Sequence, residues 1–323
     1  MTITSRDLAG LKPLREANNW LNDPEALDRM WREDGYLFFR NVLNKTDLAD
    51  VRRTYLDVLI DLGAINADAE EPVCNGADLS DFPFKLDGLI QSRIWEKLAS
   101  RPSFVDLASR VMGDSPYFLP MTEYRADPPR SDIPEADALL FRHQDGLNNY
   151  GIPFYIFWVP VFDMDARRGG LVMAEGWNRR GFIHDPEDRP HFGIADNTVP
   201  NSAWRRSDYR AGDVLVFDIM TPHSGVANYS DRFRCSLDIR GMRASDKNRP
   251  IIGAIDAVAP DQVSIRTDDG ILHKLTINAE SKVRGKNRAP ISSRESIAEE
   301  VPIGMRVIAS HVNGILQVLR DER

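Results

Sequence analysis

The sequence predicts an α+β chain: helices first, then an antiparallel β-sandwich or jelly-roll barrel, then a second and smaller β-barrel. Three observations predict it. Apolar residues repeat at helical spacing in the N-terminal part. From about Tyr117 to Ile239 the texture changes to short β-rich runs separated by Pro, Gly, Asn and Asp, with no helical period between them. After Arg249 and Pro250 a further set of short strands begins, which divides the chain into residues 1–249 and 250–323.

The elements follow in order. Asp23 and Pro24 read as an N-cap and first helical residue, and Leu27, Met30 and Trp31 recur at helical spacing up to Gly35. A short strand, Tyr36 to Phe39, comes next. From Thr46 to Gly63, Leu48, Val51, Tyr55, Val58, Leu59 and Leu62 share one helical face, with Gly63 as the cap. The β-rich region reads YFLPMTEYR, ALLFRHQD, PFYIFWVPVF, GLVMAE, DVLVFDIM and FRCSLDIR. Beyond residue 250 come IIGAIDAV, QVSIRT, ILHKLTI and RVIASHV, with a hairpin signal at Asp269 and Gly270. Residues 251–323 carry ten Lys/Arg and ten Asp/Glu, so the negative excess belongs to the first part.

Composition narrows the function. Hydrophobic residues at 42% and charged residues at 28% are ordinary for a globular chain and exclude a disordered or fibrous class. A formal net charge of -8 argues against nucleic acid or an anionic membrane as partner. The longest apolar runs, such as Phe154 to Val161, are too short to span a bilayer, and MTITSRDLAGLKPL lacks the pattern of a secretory signal, so a cytoplasmic location is expected. Cys74 and Cys235 are too few and too far apart for a disulfide framework and read as small buried hydrophobes.

The chemistry gathers in three places. FRHQD sets His143 and Asp145 two residues apart, on one face of an extended chain. His223, after the strand DVLVFDIM, is a candidate third ligand. Two imidazoles and a carboxylate on one face of an octahedral metal leave three positions open, which is what iron(II) needs to take a chelating co-substrate and then dioxygen. In the strand that follows, Phe233, Cys235, Leu237 and Ile239 alternate with Arg234, Ser236, Asp238 and Arg240, so one face is apolar and the other polar. Arg234, eleven residues after His223, presents a planar fork suited to the distal carboxylate of a dicarboxylic acid, and Ser236 on the same face adds a hydroxyl.

These residues carry a resemblance. HQD at 143–145, FWVPVFDMDARRGGL at 157–171 and GDVLVFDIMTPHSGVANYSDRFR at 212–234, Asn228 included, resemble the phytanoyl-CoA dioxygenase family of iron(II)/2-oxoglutarate oxygenases over roughly Asp34 to Gly241. The resemblance implies a double-stranded β-helix (jelly-roll) core that holds iron(II), 2-oxoglutarate and O2, with His143, Asp145 and His223 as ligands and Arg234 on the co-substrate. It implies that Gln144 and Trp158 line the 2-oxoglutarate pocket and that Lys85 in DFPFKLDG reaches it. Two departures follow. Ser224 and Gly225 occupy the places where a hydroxyl residue is common, which moves that partner to Ser236. EGWNRR stands at 175–180 in a loop that often borders the substrate, so the substrate does not carry over. The implied reaction hydroxylates a small molecule, as in secondary metabolism, with release of succinate and carbon dioxide. Halogenating relatives have a small residue in place of the carboxylate, so Asp145 favours hydroxylation. The C-terminal barrel would assemble a homodimer or shape the site entrance.

Other groups read more simply. His184 and His191, with Asp185 or Glu187, fall in a Pro-rich loop. His273 and His311 sit in the small barrel. Arg179, Arg180, Arg205 and Arg206 read as solvated arginines, with an anionic substrate as the other use. Lys282, Arg284, Lys286 and Arg288 would form a cationic edge if extended, but Gly285, Asn287 and Pro290 favour a loop. Two rivals stay open: a cupin-like metal- or polymer-binding module, and a metal-dependent isomerase or hydrolase on the same barrel.

Overall fold

The computed structural model describes residues 5–8, 10–130, 139–147, 153–185 and 193–322. The chain divides into two compact units, the first running to Arg243 and the second starting at Ala244.

In the first unit a single turn, α1 (Ser5–Leu8), precedes α2 (Pro24–Asp34). The Asp23 side chain accepts from the Ala26 N–H at 2.9 Å, satisfying one of the orphan donors of the first turn, and Gly35 ends the helix at φ 80°. α3 (Lys45–Asp61) opens with a capping box between Asn44 and Asp47 and buries Leu48, Val51, Tyr55, Leu56 and Leu59. Leu62, expected on that face, lies past the last turn and is 48% exposed. Three helices had no sequence expectation: α4 (Asp87–Ser92), α5 (Ile94–Ala99) and α6 (Pro102–Met112). The first two hold six residues each, too few to display a period.

The strands are β1 (Tyr36–Phe39), β2 (Pro116–Asp127), β3 (Tyr155–Pro160), β4 (Gly170–Ala174), β5 (Trp204–Arg205), β6 (Val214–Asp218), β7 (His223–Val226) and β8 (Arg234–Arg243). They form two antiparallel sheets, a five-stranded one in the order β1-β6-β3-β8-β2 and a three-stranded one in the order β5-β4-β7. The large sheet has two unlike faces. Phe39, Val216, Phe157, Leu237 and Ala126, from its five strands, join the helices in one core with Met30, Val51, Leu59, Leu98 and Phe104. The side chains between them in sequence point the other way, and that second face carries the polar residues of β8.

Phe104 is fully buried, with its ring 5.5 Å from Phe157 and 5.6 Å from Phe118. Phe104→Ala leaves a cavity between helix and sheet that the neighbours fill only in part, so urea unfolding should show a loss of about 3–5 kcal/mol. A loss under about 1 kcal/mol would mean that this junction does not hold the unit together.

In the second unit β9 (Ile251–Ala259), β10 (Gln262–Arg266), β11 (Leu272–Thr276), β12 (Lys282–Val283), β13 (Arg306–Val312) and β14 (Ile315–Asp321) pair in the order β11-β10-β9-β13-β14-β12. A parallel pairing of β11 with β14 at Thr276 and Ile315 closes the ring into a small barrel. Its interior is Ile255, Val263, Ile265, Leu275, Val307 and Leu316, and the short helix α7 (Ile297–Glu300) adds Ile297. Lys282 lies in a strand and Lys286 to Arg288 in a 3-10 turn, so no extended cationic edge forms. No helix among the described residues is long and apolar enough to cross a membrane.

Candidate metal centre

His223 starts β7, and the segment before the Asp145 turn runs antiparallel beside it. Leu139 bridges Val226, and His143 bridges His223 with backbone hydrogen bonds of 2.9 and 3.0 Å. This pairing brings the two imidazoles to 4.2 Å between ring centres. Asp145 then begins a 3-10 turn, Asp145–Leu147, so the extended chain expected through both residues ends between them. The turn still carries the carboxylate back, with Oδ1 3.3 Å from His143 Nε2.

The protonation of both rings follows from their neighbours. His143 Nδ1 lies 3.0 Å from the Phe141 carbonyl oxygen and His223 Nδ1 lies 3.0 Å from that of Thr221. A carbonyl only accepts, so Nδ1 carries the proton in each ring, which leaves Nε2 as the nitrogen that can turn to a metal. One ligand atom from each of His143, Asp145 and His223 lies within 4.8 Å of the others. Burial pushes the His223 ring down to about 4, with the neighbouring His143 adding to the shift, so it is neutral near pH 7. Burial acts to raise the Asp145 carboxyl, but the contact with His143 and the charge of the Arg240 guanidinium outweigh it and hold the group below the usual carboxylate range. Two imidazole nitrogens and a carboxylate oxygen are a donor set that fits a divalent first-row metal with open positions.

Arg234, the first residue of β8, is 4% exposed. Its Nη1 donates to the Gly170 carbonyl at 2.8 Å and its Nη2 pairs with Asp127, while Nε is buried without an acceptor. Gly170 has φ 103°, and a Cβ there would come within 2.8 Å of the Tyr209 ring, so only glycine lets this carbonyl approach the guanidinium. Buried Arg168 fixes the start of the strand by donating twice to the Phe233 carbonyl, at 2.9 and 2.7 Å. Ser236 Oγ is likewise buried without a partner. Ser224 lies next along β7 from His223, on the opposite face, and its hydroxyl donates to the Gly225 carbonyl at 2.9 Å. A buried unpartnered N–H beside a buried unpartnered hydroxyl fits a carboxylate guest.

Other expected residues fall differently. Trp158 is buried and in register with Asp238, its ring 4.6 Å from Tyr209. The Gln144 amide donates to the carbonyls of Gly181 and Met220 and accepts from Ile183 N–H, so both of its N–H groups bind loop backbone. Lys85 is exposed; from the same loop, the ring of Phe84 lies 4.4 Å from the guanidinium carbon of Arg125. Asn228 ties the turn before Arg234 by donating to the carbonyls of Asp127 and Arg232. His184 accepts from the Gln144 backbone N–H at 2.8 Å, between the two ligands, whereas His191 and Glu187 lie outside the described residues. Arg206, read as solvated, is 6% exposed and pairs with Asp208, and Arg205 pairs with Glu175.

Register adds a group that the sequence reading left unassigned. Asp238 faces Glu123 on β2 and Trp158 on β3, and Arg240, two residues on, sits 3.7 Å from Asp145. The alternation along β8 contained this signal, but only the cross-strand neighbours give it a use.

A model of the phytanoyl-CoA dioxygenase (PhyH) family matches residues 31–236. The chain is 27% identical over 293 residues to a 1-deoxypentalenic acid 11-beta-hydroxylase from Streptomyces arenae, covering 85% of this chain and 98% of the relative. It is 27% identical over 292 residues to the enzyme of that name from Streptomyces exfoliatus, again over 85% and 98%. Among solved structures it is similar to the epimerase SnoN in complex with Fe3+, alpha ketoglutarate and nogalamycin RO, at 24% identity over 69% of this chain and 86% of that one, with a TM-score of 0.47.

Proposed function

The chain belongs to the phytanoyl-CoA dioxygenase family of iron- and 2-oxoglutarate-dependent oxygenases, and from that premise we propose that His143, Asp145 and His223 hold the iron(II) ion while Arg234 and Ser236 take the distal carboxylate of 2-oxoglutarate. The five-stranded and three-stranded sheets are then the two halves of a jelly-roll core. Iron(II), when bound, supplies the activation of dioxygen and the oxidative decarboxylation of 2-oxoglutarate to succinate, and with them the oxidation of a C–H bond.

The chain's own residues do the rest. The carbonyls of Phe141 and Thr221 hold both Nδ1 protons in place and so fix the orientation of both rings, with Nε2 left for the metal. Arg240, 3.7 Å from Oδ2 of Asp145, steadies the carboxylate. Arg234, turned by Gly170 and Asp127, orients the dicarboxylate and shields it from water. As in the relatives named 1-deoxypentalenic acid 11-beta-hydroxylases, the product is a hydroxylated small molecule.

The observation that carries this reading is the buried Arg234 Nε and Ser236 Oγ, both unpartnered, on the strand that also sets Arg240 beside the ligand Asp145. A structural metal site has no need of them. The test is anaerobic addition of iron(II) and 2-oxoglutarate to metal-free protein. A weak visible charge-transfer band is expected, with slow succinate formation once air is admitted. Neither band nor succinate would remove the oxygenase assignment of these residues.

A further inference from the structure

Strand β8 carries two more side chains on the polar face, Asp238 and Arg240. Each guanidinium on this wall already has a carboxylate: Arg234 has Asp127, Arg240 has Asp145 at 3.7 Å, and Arg125 has Glu123 at 4.0 Å. A further carboxylate on this face is Asp238, which feels the charges of Arg125 and Arg240 but whose Oδ1 is buried and has no hydrogen-bond partner. Arg240, 9% exposed and with its guanidinium 5.4 Å from the Phe154 ring, likewise leaves Nε without an acceptor.

Charge and hydrogen bonding together select the guest. An anionic group next to Asp238 would be repelled by that carboxylate and by Asp145 and Glu123, which already act on it. A bare hydrocarbon would leave a buried acceptor and a buried donor unsatisfied. One uncharged hydroxyl answers both, because its O–H donates to Asp238 and its oxygen accepts from Arg240 Nε. Burial also pushes the Asp238 carboxyl up to about 7, which weakens its pull on a full positive charge near neutral pH. Resting on the oxygenase reading above, we propose that Asp238 and Arg240 form a substrate anchor that takes a hydroxyl group of an uncharged small molecule beside the metal.

The test uses the metal-free full chain and three probes of one shape, cyclohexanol, cyclohexylamine and cyclohexanecarboxylate, with binding followed by saturation-transfer NMR. Cyclohexanol is expected to bind tightest. At pH 8, where the Asp238 carboxyl is mostly ionised, Asp238→Leu should weaken it about tenfold, the loss of a hydrogen bond to a charged group. Asp238→Asn, which keeps the shape and an acceptor but not the charge, should weaken it roughly threefold and decides the matter if the leucine variant does not fold. Tighter binding of the carboxylate or the amine, no saturable binding of cyclohexanol, or a hydroxyl preference unchanged in the variants overturns the anchor. A missing iron and 2-oxoglutarate band in the wild-type protein sinks the oxygenase reading instead, since the order of probe binding needs no metal.

Discussion

His143→Ala shows no iron and 2-oxoglutarate charge-transfer band and forms no succinate above background, while its far-ultraviolet circular dichroism stays that of the wild type. Three protein ligands span at most 4.8 Å, and with one removed the metal keeps one imidazole and one carboxylate. Loss of a residue that only orients a metal ligand typically costs 10–100-fold in affinity, so loss of a ligand should cost at least about 100-fold. The fold should survive. His143 has a side chain 21% exposed and joins β7 through backbone hydrogen bonds that alanine also makes. Asp145→Ala is a harsher variant, because it strips a counter-charge from Arg240, which is 9% exposed. Isothermal titration with iron(II) checks the first prediction. An affinity within a few fold of the wild type would take His143 out of the ligand set.

His143, Asp145, His223 and Arg234 were legible in the sequence because each belongs to a short pattern of fixed spacing. The path between them was not. The period-two argument set Asp145 on the same strand face as His143, yet the chain turns at Asp145, and the 3.3 Å approach depends on that turn. Lys85 rests on the family resemblance alone; its side chain is exposed and the ring of its neighbour Phe84 lies against Arg125, a loop arrangement with no period to read. Gln144, between two ligands, looked like a pocket residue; its amide instead fastens two loops whose approach is a tertiary event. The short helices α4 and α5 lacked the length to declare themselves, whereas α2 announced both ends with Asp23 and Gly35. Asp238 stood in plain alternation with Ser236 and Arg240. Its charged surroundings exist only once β2 brings Glu123, Arg125 and Asp127 alongside.

Arg234→Ala raises the KM for 2-oxoglutarate roughly 100-fold, with kcat at saturating 2-oxoglutarate and iron affinity close to wild type. The Nε–H that Gly170 and Asp127 leave free meets the carboxylate through one charged hydrogen bond of about 1.5–3 kcal/mol, which puts the net loss on the order of two decades at most. The effect belongs in KM because the distal carboxylate changes neither charge nor shape during the reaction, so its binding is uniform between ground and transition states. The variant also frees Asp127, whose side chain is 26% exposed and can be hydrated, so the loss of stability should fall at the low end of the about 3–5 kcal/mol usual for a broken buried pair. Arg234→Lys sharpens the test. Lysine keeps the charge and restores stability through Asp127, but it cannot reach the Gly170 carbonyl and hold a carboxylate with a planar fork, so KM should recover only in part. Initial rates of succinate formation against 2-oxoglutarate concentration decide the matter. An unchanged KM in the alanine variant removes Arg234 from the co-substrate site, and full recovery with lysine reduces its role to charge alone.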